Sequence, residues 1–421
     1  MRKRYFLIIA AITCIFILSS CNKKDDEKLS EGSGRGAGES FSEVYPVYKE
    51  ENIIRITAVG DILVHETQLI SQYNELTDSY NFTDNFKYVE GYIKDGDLTI
   101  ANLETTLAGK EKGYTGFPTF NTPDEILDAL KNSGFNLISA ANNHIIDKGL
   151  SGLKRTAEVV KEKGLDLTGI KANPEEKSYV VKDVKGIKIG ISNYVFETQK
   201  QGNNRTINSL PLPKEGETLL DTFNYSELNT WYKEVEERIS QMKADGAEFI
   251  VFLMHWGNEY QREANSNQKE MAQKLCDLGV DVIIGGHPHV IQPMEYLTSS
   301  VSGKMSVVFY SLGNFLSNQR RERVDNIYPE DGIIVNVDVI KEEDGSLSLG
   351  EVSYVPTWVY REELGDSKYS YTILPLNELK EGNLFNIPED SELAKAETSY
   401  ANTVAIFEAY NSVSTIAPSK K

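Results

Sequence analysis

Val280-Asp281-Val282-Ile283-Ile284-Gly285-Gly286-His287-Pro288-His289 is the stretch on which the reading of this chain turns. A short apolar run rich in β-branched residues predicts a buried strand over Val280–Ile284. The run ends on two glycines, which let the backbone pass close to a neighbour, and then on two histidines parted by a proline. If the segment stays extended, His287 and His289 project to the same side and Pro288 stiffens the step between them. The same plan recurs outward along the chain. Phe249–Met254 leads into His255-Trp256-Gly257-Asn258-Glu259-Tyr260, and Ile53–Val59 into Gly60-Asp61 and His65. Leu98–Ala101 leads into Asn102-Leu103-Glu104, and Phe135–Ala140 into Asn142-Asn143-His144 with Asp147.

Two more strands are expected over Ile187–Ser192 and Val307–Tyr310. Helices are expected over Asp124–Ser133, Leu150–Gly164, Ser226–Asp245 and Ser266–Leu278. Residues 331–340 and 347–356 alternate like half-buried antiparallel strands, with Glu343-Asp344-Gly345 as the hairpin turn. The first half reads as βαβ units and the end as an antiparallel meander, which together predict a layered α/β body built around a sheet. That body is placed at 51–360. Residues 361–421 are expected to be an extension, packed on the body or in part disordered, with a helix over Glu392–Tyr410.

The chain has only five histidines, and every one falls at or just beyond an apolar run. Open α/β sheets place ligands at the carboxyl ends of their strands, so these residues are expected to converge on one crevice with Asp61 and Glu104. Neutral imidazoles together with carboxylates suit Mn, Zn or Fe, whereas an all-oxygen set would suit Mg or Ca. A pair of such ions needs a bridging carboxylate and clamps both oxygens of a displacement. Taken singly, each residue also has an ordinary reading as a turn, a cap or a hydrogen-bonded core histidine. The conjunction of all five histidines favours a divalent-metal site.

Charge and cysteine content narrow the class further. With 44 Lys and Arg against 63 Asp and Glu, the net charge is −19, which argues against nucleic acid as a partner. Three cysteines, at 14, 21 and 276, make no disulfide framework. Basic Met1–Arg4, apolar Tyr5–Leu18 and Leu18-Ser19-Ser20-Cys21 resemble a bacterial lipoprotein signal over 1–20, with Cys21 lipidated. Residues 21–50, rich in Gly and Ser, then form a flexible tether spanning roughly 30 Å. The expected location is the outer face of a membrane, held by the lipid. Cys276, on a helix with Met271 and Leu275, reads as a small buried hydrophobe.

Together, Gly60-Asp61, Asn102-Leu103-Glu104, Asn142-Asn143-His144 with Asp147, His255-Trp256-Gly257 with Glu259-Tyr260, Gly286-His287-Pro288-His289 and Tyr310-Ser311-Leu312-Gly313-Asn314-Phe315 resemble the CapA family. That family is named for capsule, or poly-γ-glutamate, biosynthesis and is related to calcineurin-like metallophosphatases. The resemblance runs from about Ile53 to Val355. It implies a metallophosphatase-like fold, a layered β-sandwich flanked by helices, and two divalent ions. Asp61 would bind the first ion, Glu104 would bridge, and Asn143, His255 and His287 would bind the second, with His289 returning to the first. His144 would be the acid/base or oxyanion-stabilising residue, oriented by Asp147. Metallophosphatases begin with Asp-x-His, but here Leu63 stands at the histidine's place. His65 substitutes for it if the chain turns helical directly after Asp61.

Trp256 and Tyr260 flank His255, as pocket walls or as core. Arg320, Arg321 and Arg323 follow the Gly313-Asn314-Phe315 motif, as a solvated cluster or as holders of a substrate carboxylate or phosphate. Two classes of function follow. One is a membrane-anchored, metal-dependent hydrolase or transferase acting on an anionic polymer or a phosphoester, as a generic exported metallophosphoesterase would. The other is a non-catalytic scaffold that serves subunits of a polymer synthase or export complex.

Overall fold

The computed structural model describes residues 52–366, 368–383, 385–387 and 390–410. The expected signal at 1–20, the expected lipidation of Cys21 and the expected tether at 21–50 lie outside the described residues.

Two sheets stack face to face. The first runs in the order Lys368–Pro375, Leu347–Gly365, Asp331–Lys341, Ile53–Ile62, Leu98–Leu103, Leu137–Ser139, Asp166–Thr168. It is antiparallel up to Ile53–Ile62 and parallel beyond it. The second runs Thr222–Phe223, Ile187–Phe196, Phe249–His255, Val282–Gly286, Met305–Phe309, Met294–Thr298, with a parallel centre. Alternation along each strand explains the stacking. In Phe249–His255, Phe249, Val251 and Leu253 enter the core between the sheets with Ile54, Ile56 and Ile100. Ile250, Phe252 and Met254 point the other way, into a cluster that includes Trp231, Val235, Met271 and Leu275 from the helices Leu228–Ala244 and Ser266–Leu278. The outer face of the first sheet is covered by Glu125–Asn132 and Gly149–Glu162. Strands buried on both faces are what near-continuous apolar runs encode. The layered α/β sandwich flanked by helices is therefore present.

Helix limits follow local chemistry. Asn265 accepts the Gln268 N–H at 2.9 Å and starts Ser266–Leu278, and Gly279 ends it at φ 96°. Cys276 is buried on that helix, as expected.

The boundary placed at 360 is corrected. Leu347–Gly365 is a single strand that continues through it, and Lys368–Pro375 adds the next strand of the same sheet. The helix Asp390–Tyr410 lies on this region, with Phe407 stacked on Tyr354 at 4.1 Å between ring centroids. Its Asn402 side chain donates to Asp331 Oδ2 at 3.2 Å, and the Asn402 carbonyl accepts from Arg262 at 2.9 Å. Residues 411–421 lie outside the described residues.

Burial pushes the Asp331 carboxyl up to about 7. The folded chain thus keeps a proton that the unfolded chain releases near pH 4. The stability tied to that proton is complete below pH 4 and is lost as pH rises through 7, by up to about 4 kcal/mol. Asp331→Asn should therefore melt a few degrees above the unsubstituted chain at pH 8 and alongside it at pH 4, as thermal unfolding at both pH values would show. An unchanged difference between the two pH values would refute this.

Candidate metal centre

The carboxyl ends of the two sheets meet, and the chemistry-bearing residues collect there. In the first sheet Asp61 pairs in register with both Asn102 and Asn314. Strand Ile53–Ile62 runs past the expected end at Val59 because Gly60 passes against Gly313. A Cβ on Gly60 would lie 1.9 Å from the Gly313 carbonyl oxygen, and the Asp61 N–H donates to that oxygen at 2.9 Å. Glu104 follows Leu98–Leu103, and Asn143 and His144 sit in the turns before Gly149–Glu162. From the second sheet come His255, paired in register with Gly286, and then His287 and His289.

The His-Pro-His segment is not extended, which corrects the expectation. His287 and His289 both adopt left-handed backbone, at φ 96° and 56°, a conformation non-glycine residues seldom take. Cross-sheet contacts impose it. The His287 N–H donates to Asp61 Oδ2 at 3.1 Å, and His289 Nδ1 lies 3.2 Å from the same oxygen. Gly286 must be glycine for this approach, since a Cβ there would stand 2.6 Å from Asp61 Oδ1.

Glu104 is fully buried, and neither carboxylate oxygen has a hydrogen-bond partner among the described residues. Its Oε1 lies 3.6 Å from His255 Nε2 and 3.8 Å from His289 Nε2. His255 Nε2 lies 2.9 Å from Asn143 Oδ1. Two triads share Glu104: its carboxylate with His287 and His289, and its carboxylate with Asp61 and His255. In each, the ligand atoms lie within 4.8 Å of one another. Burial, and then the Asp61 charge, hold the Glu104 carboxyl well above the usual carboxylate range. Burial, and then neighbouring imidazoles, hold His255 and His287 well below the usual histidine value. A buried set of neutral imidazoles around orphaned carboxylate oxygens, with His287 Nδ1 also unpartnered, is what a divalent cation complements.

His144 stands beside this set. Its Nδ1 donates to Asp147 Oδ2 at 2.8 Å, and that oxygen also accepts the Phe120 N–H at 2.7 Å. No helix makes this contact, because the helix begins only at Gly149; the i to i+3 spacing is closed by turns.

Other expected residues lie elsewhere. Strand Ile53–Ile62 does not turn helical after Asp61. His65 is the N-cap of Glu66–Gln72, its Nδ1 accepts the Asn318 N–H at 3.2 Å, and it belongs to neither triad. Leu63 is core, 1% exposed. Trp256 is wholly buried and donates to the Tyr310 carbonyl at 2.9 Å, so it packs the second sheet and does not wall a pocket. Arg320 is buried on Glu330 at 2.9 Å, and Arg321 reaches the same carboxylate at 3.3 Å, so neither guanidinium is free for substrate. Burial of an arginine with its carboxylate is the cheaper arrangement.

Three contributors went unassigned in the sequence. Asn102 donates to Asp61 Oδ1 at 2.7 Å, and Asn314 Oδ1 lies 3.1 Å from His289 Nδ1, each orienting a candidate ligand. Both stand inside motifs already singled out, so their position was available as a signal. Phe120 meets the His144 ring edge-on at 4.7 Å, and no sequence pattern marked it.

Residues 55–319 match the family model described as bacterial capsule synthesis protein PGA_cap. The capsule biosynthesis protein CapA of Bacillus anthracis is 28% identical over 291 residues, covering 66% of this chain and 63% of the relative. The chain thus spans less than two thirds of that protein's length. The PGA biosynthesis protein CapA of Bacillus subtilis (strain 168) is 27% identical over 289 residues, covering 67% of this chain and 68% of the relative. The solved NAD nucleotidase of Haemophilus influenzae aligns over 88% of this chain and 65% of its own, at 13% identity and a TM-score of 0.42. With its strand-end motifs gathered at one sheet edge and a family model matched over more than half its length, the chain belongs to the bacterial capsule synthesis protein PGA_cap family.

Proposed function

We propose that this protein is a lipid-anchored, divalent-metal-dependent hydrolase or transferase of capsule-polymer synthesis. Its substrate is an exported anionic polymer of the poly-γ-glutamate kind, and it works on the outer face of the membrane beside the polymer synthase. Glu104 carries this reading. A buried carboxylate with both oxygens orphaned, faced by imidazoles of His255 and His289, is costly unless a cation fills the space between them. Asp61, Glu104 and His289 would hold one Mn, Zn or Fe ion, and Glu104, Asn143, His255 and His287 a second. When bound, such ions polarise water and offset negative charge that develops on the reacting group. The residues around them position. Asp147 fixes the His144 ring, so that in neutral imidazole the proton is on Nδ1 and Nε2 is an acceptor. Asn102 and Asn314 hold Asp61 and His289 in place.

Buried Leu63, in place of a histidine, favours a second reading: one ion only, or a scaffold of the synthase complex without catalysis. Elemental analysis of the 22–421 fragment, with Asp61→Ala and His287→Ala, separates these. Two ions per chain, reduced by both substitutions, are expected. One ion lost only in His287→Ala would mean that the first position is disabled. No bound ion after incubation with Mn, Zn and Fe would remove the enzyme reading.

A further inference from the structure

Apart from the candidate metal ligands, a surface cavity of about 210 Å³ is lined by three tyrosines, Tyr73, Tyr80 and Tyr114. Its volume is that of roughly seven waters, enough for a group the size of one amino acid. Tyr73 and Tyr80 pair across a short hairpin with ring centroids 5.1 Å apart, and Tyr114 meets Tyr80 edge-on at 5.3 Å. The rings are held from behind. Tyr80 stacks on Phe82 at 6.4 Å, and Tyr80 and Tyr114 both pack against the core beside the first sheet. The Tyr73 hydroxyl donates to Asp78 at 2.8 Å. The tyrosine wall is therefore fixed before any ligand arrives.

Three charged side chains share the lining: Glu66 on helix Glu66–Gln72, Glu75 on the hairpin and Lys368 at the start of Lys368–Pro375. None of the three forms an ion pair among the described residues, whereas neighbouring Asp78 is already taken by Lys110 at 2.7 Å. Thr67 Oγ1 and the Tyr371 hydroxyl, 2.8 Å apart, fasten the strand to the helix. A tyrosine ring offers a negative face to a cation, and two carboxylates in a protein of net charge −19 strengthen that preference. Lys368 asks for an anionic group in the same ligand. A neutral sugar would leave all three charges uncompensated, and a bare cation would leave Lys368 unused. The cavity also has a path to the metal centre. In the loop 113–121, which carries Tyr114, Thr115 and Asn121 exchange backbone hydrogen bonds at 3.0 and 2.9 Å. Gly116 lies so close to the helix start that a Cβ there would stand 2.4 Å from the Glu66 nitrogen. Phe120, near the other end of the loop, meets the His144 ring at 4.7 Å.

We propose that this cavity binds a zwitterionic amino-acid group, with its ammonium at the tyrosine wall beside Glu66 and Glu75 and its carboxylate at Lys368. The site does not depend on the metal centre. A free amino acid and the amino end of a γ-glutamyl polymer both carry such a group, and only the polymer as its source rests on the proposed function. A few charged groups converging on an aromatic wall fix the orientation of a small ligand, and the rings supply the contact area.

The test is an NMR titration of the full chain, chelated and dialysed so that no bound metal competes for the probes. These are glutamate, penta-γ-glutamate, N-acetylglutamate, tetramethylammonium and glucose. Glutamate should bind, and N-acetylglutamate, which lacks the ammonium, at least about tenfold more weakly. Tyr73→Leu should weaken glutamate binding about fivefold and Tyr73→Phe, which keeps the ring, less than about twofold. Lys368→Gln should weaken glutamate about fivefold and leave tetramethylammonium unchanged. Glu270→Gln, a charge removed from the exposed side of helix Ser266–Leu278, should bind like the unsubstituted chain. Tighter binding of penta-γ-glutamate than of glutamate would identify the polymer end as the source, and the reverse a free amino acid. Glucose or N-acetylglutamate binding as well as glutamate, equal affinity in Tyr73→Leu and the unsubstituted chain, or binding of no probe would overturn the site. Metal uptake measured on the same preparations keeps the two readings apart. Tyr73-dependent binding in a chain that takes up no metal would leave this site standing and remove the metal centre.

Discussion

Glu104→Gln should empty the metal centre and leave the fold at least as stable as that of the chelated parent. Both triads use this carboxylate, so its loss removes a ligand from each, and bound metal should fall to less than about a tenth of the parent's. In the chelated parent the same group is a liability, buried beside Asp61 with no donor on either oxygen. A glutamine of the same shape carries no charge to desolvate. The pH dependence has a definite sign. Because the folded carboxyl sits well above its usual range, the folded chain keeps a proton that the unfolded chain releases near pH 4.3. The stability tied to that proton is complete below pH 4.3 and declines as pH rises toward the folded value. The chelated parent should thus lose stability between pH 5 and pH 8 relative to chelated Glu104→Gln, and adding metal should stabilise only the parent. Elemental analysis with scanning calorimetry at the two pH values reads all three effects. Full metal content in the variant would sink the assignment of Glu104 as a shared ligand.

The parts of the centre that were legible in the sequence are those set by short-range rules. Apolar runs ending at Asp61, Glu104, His255 and His287 announce strands, and strands of an α/β sheet announce where their ends collect. Geometry imposed across the two sheets was not legible. An extended His287-Pro288-His289 is what local propensity favours, but a left-handed turn lets the His287 N–H reach Asp61, 226 residues earlier in the chain. His65 fails as a ligand for a similar reason, since Asp61 pairs with Asn314 and the strand continues through Ile62 instead of turning helical. Arg320 and Arg321 look like free surface cations until Glu330 and the Val359 carbonyl are brought to them. Phe120 reaches His144 only because the Asp147 carboxylate holds its backbone. Such contacts belong to tertiary packing, and no periodicity encodes them.

His144→Ala should lower turnover about 10²–10⁴-fold, the usual range for removing a positioned acid or base, while metal content stays that of the parent. His144 is nearly buried, at 5% exposure, its Nδ1 is tied to Asp147, and it is a member of neither triad. Its removal therefore costs a proton-handling nitrogen and not a ligand. Asp147→Asn should act through His144: kcat falls, KM and metal content hold, and the loss does not add to that of His144→Ala. Additive losses would mean that Asp147 acts apart from the imidazole, through the Phe120 N–H it also holds. Turnover on phosphoester and γ-glutamyl substrates measures the first effect, and polymer formation in a strain deleted for this chain measures its consequence. A strain carrying His144→Ala that makes polymer normally, with metal still bound, would show that the centre is structural. The protein would then be a scaffold of the synthase.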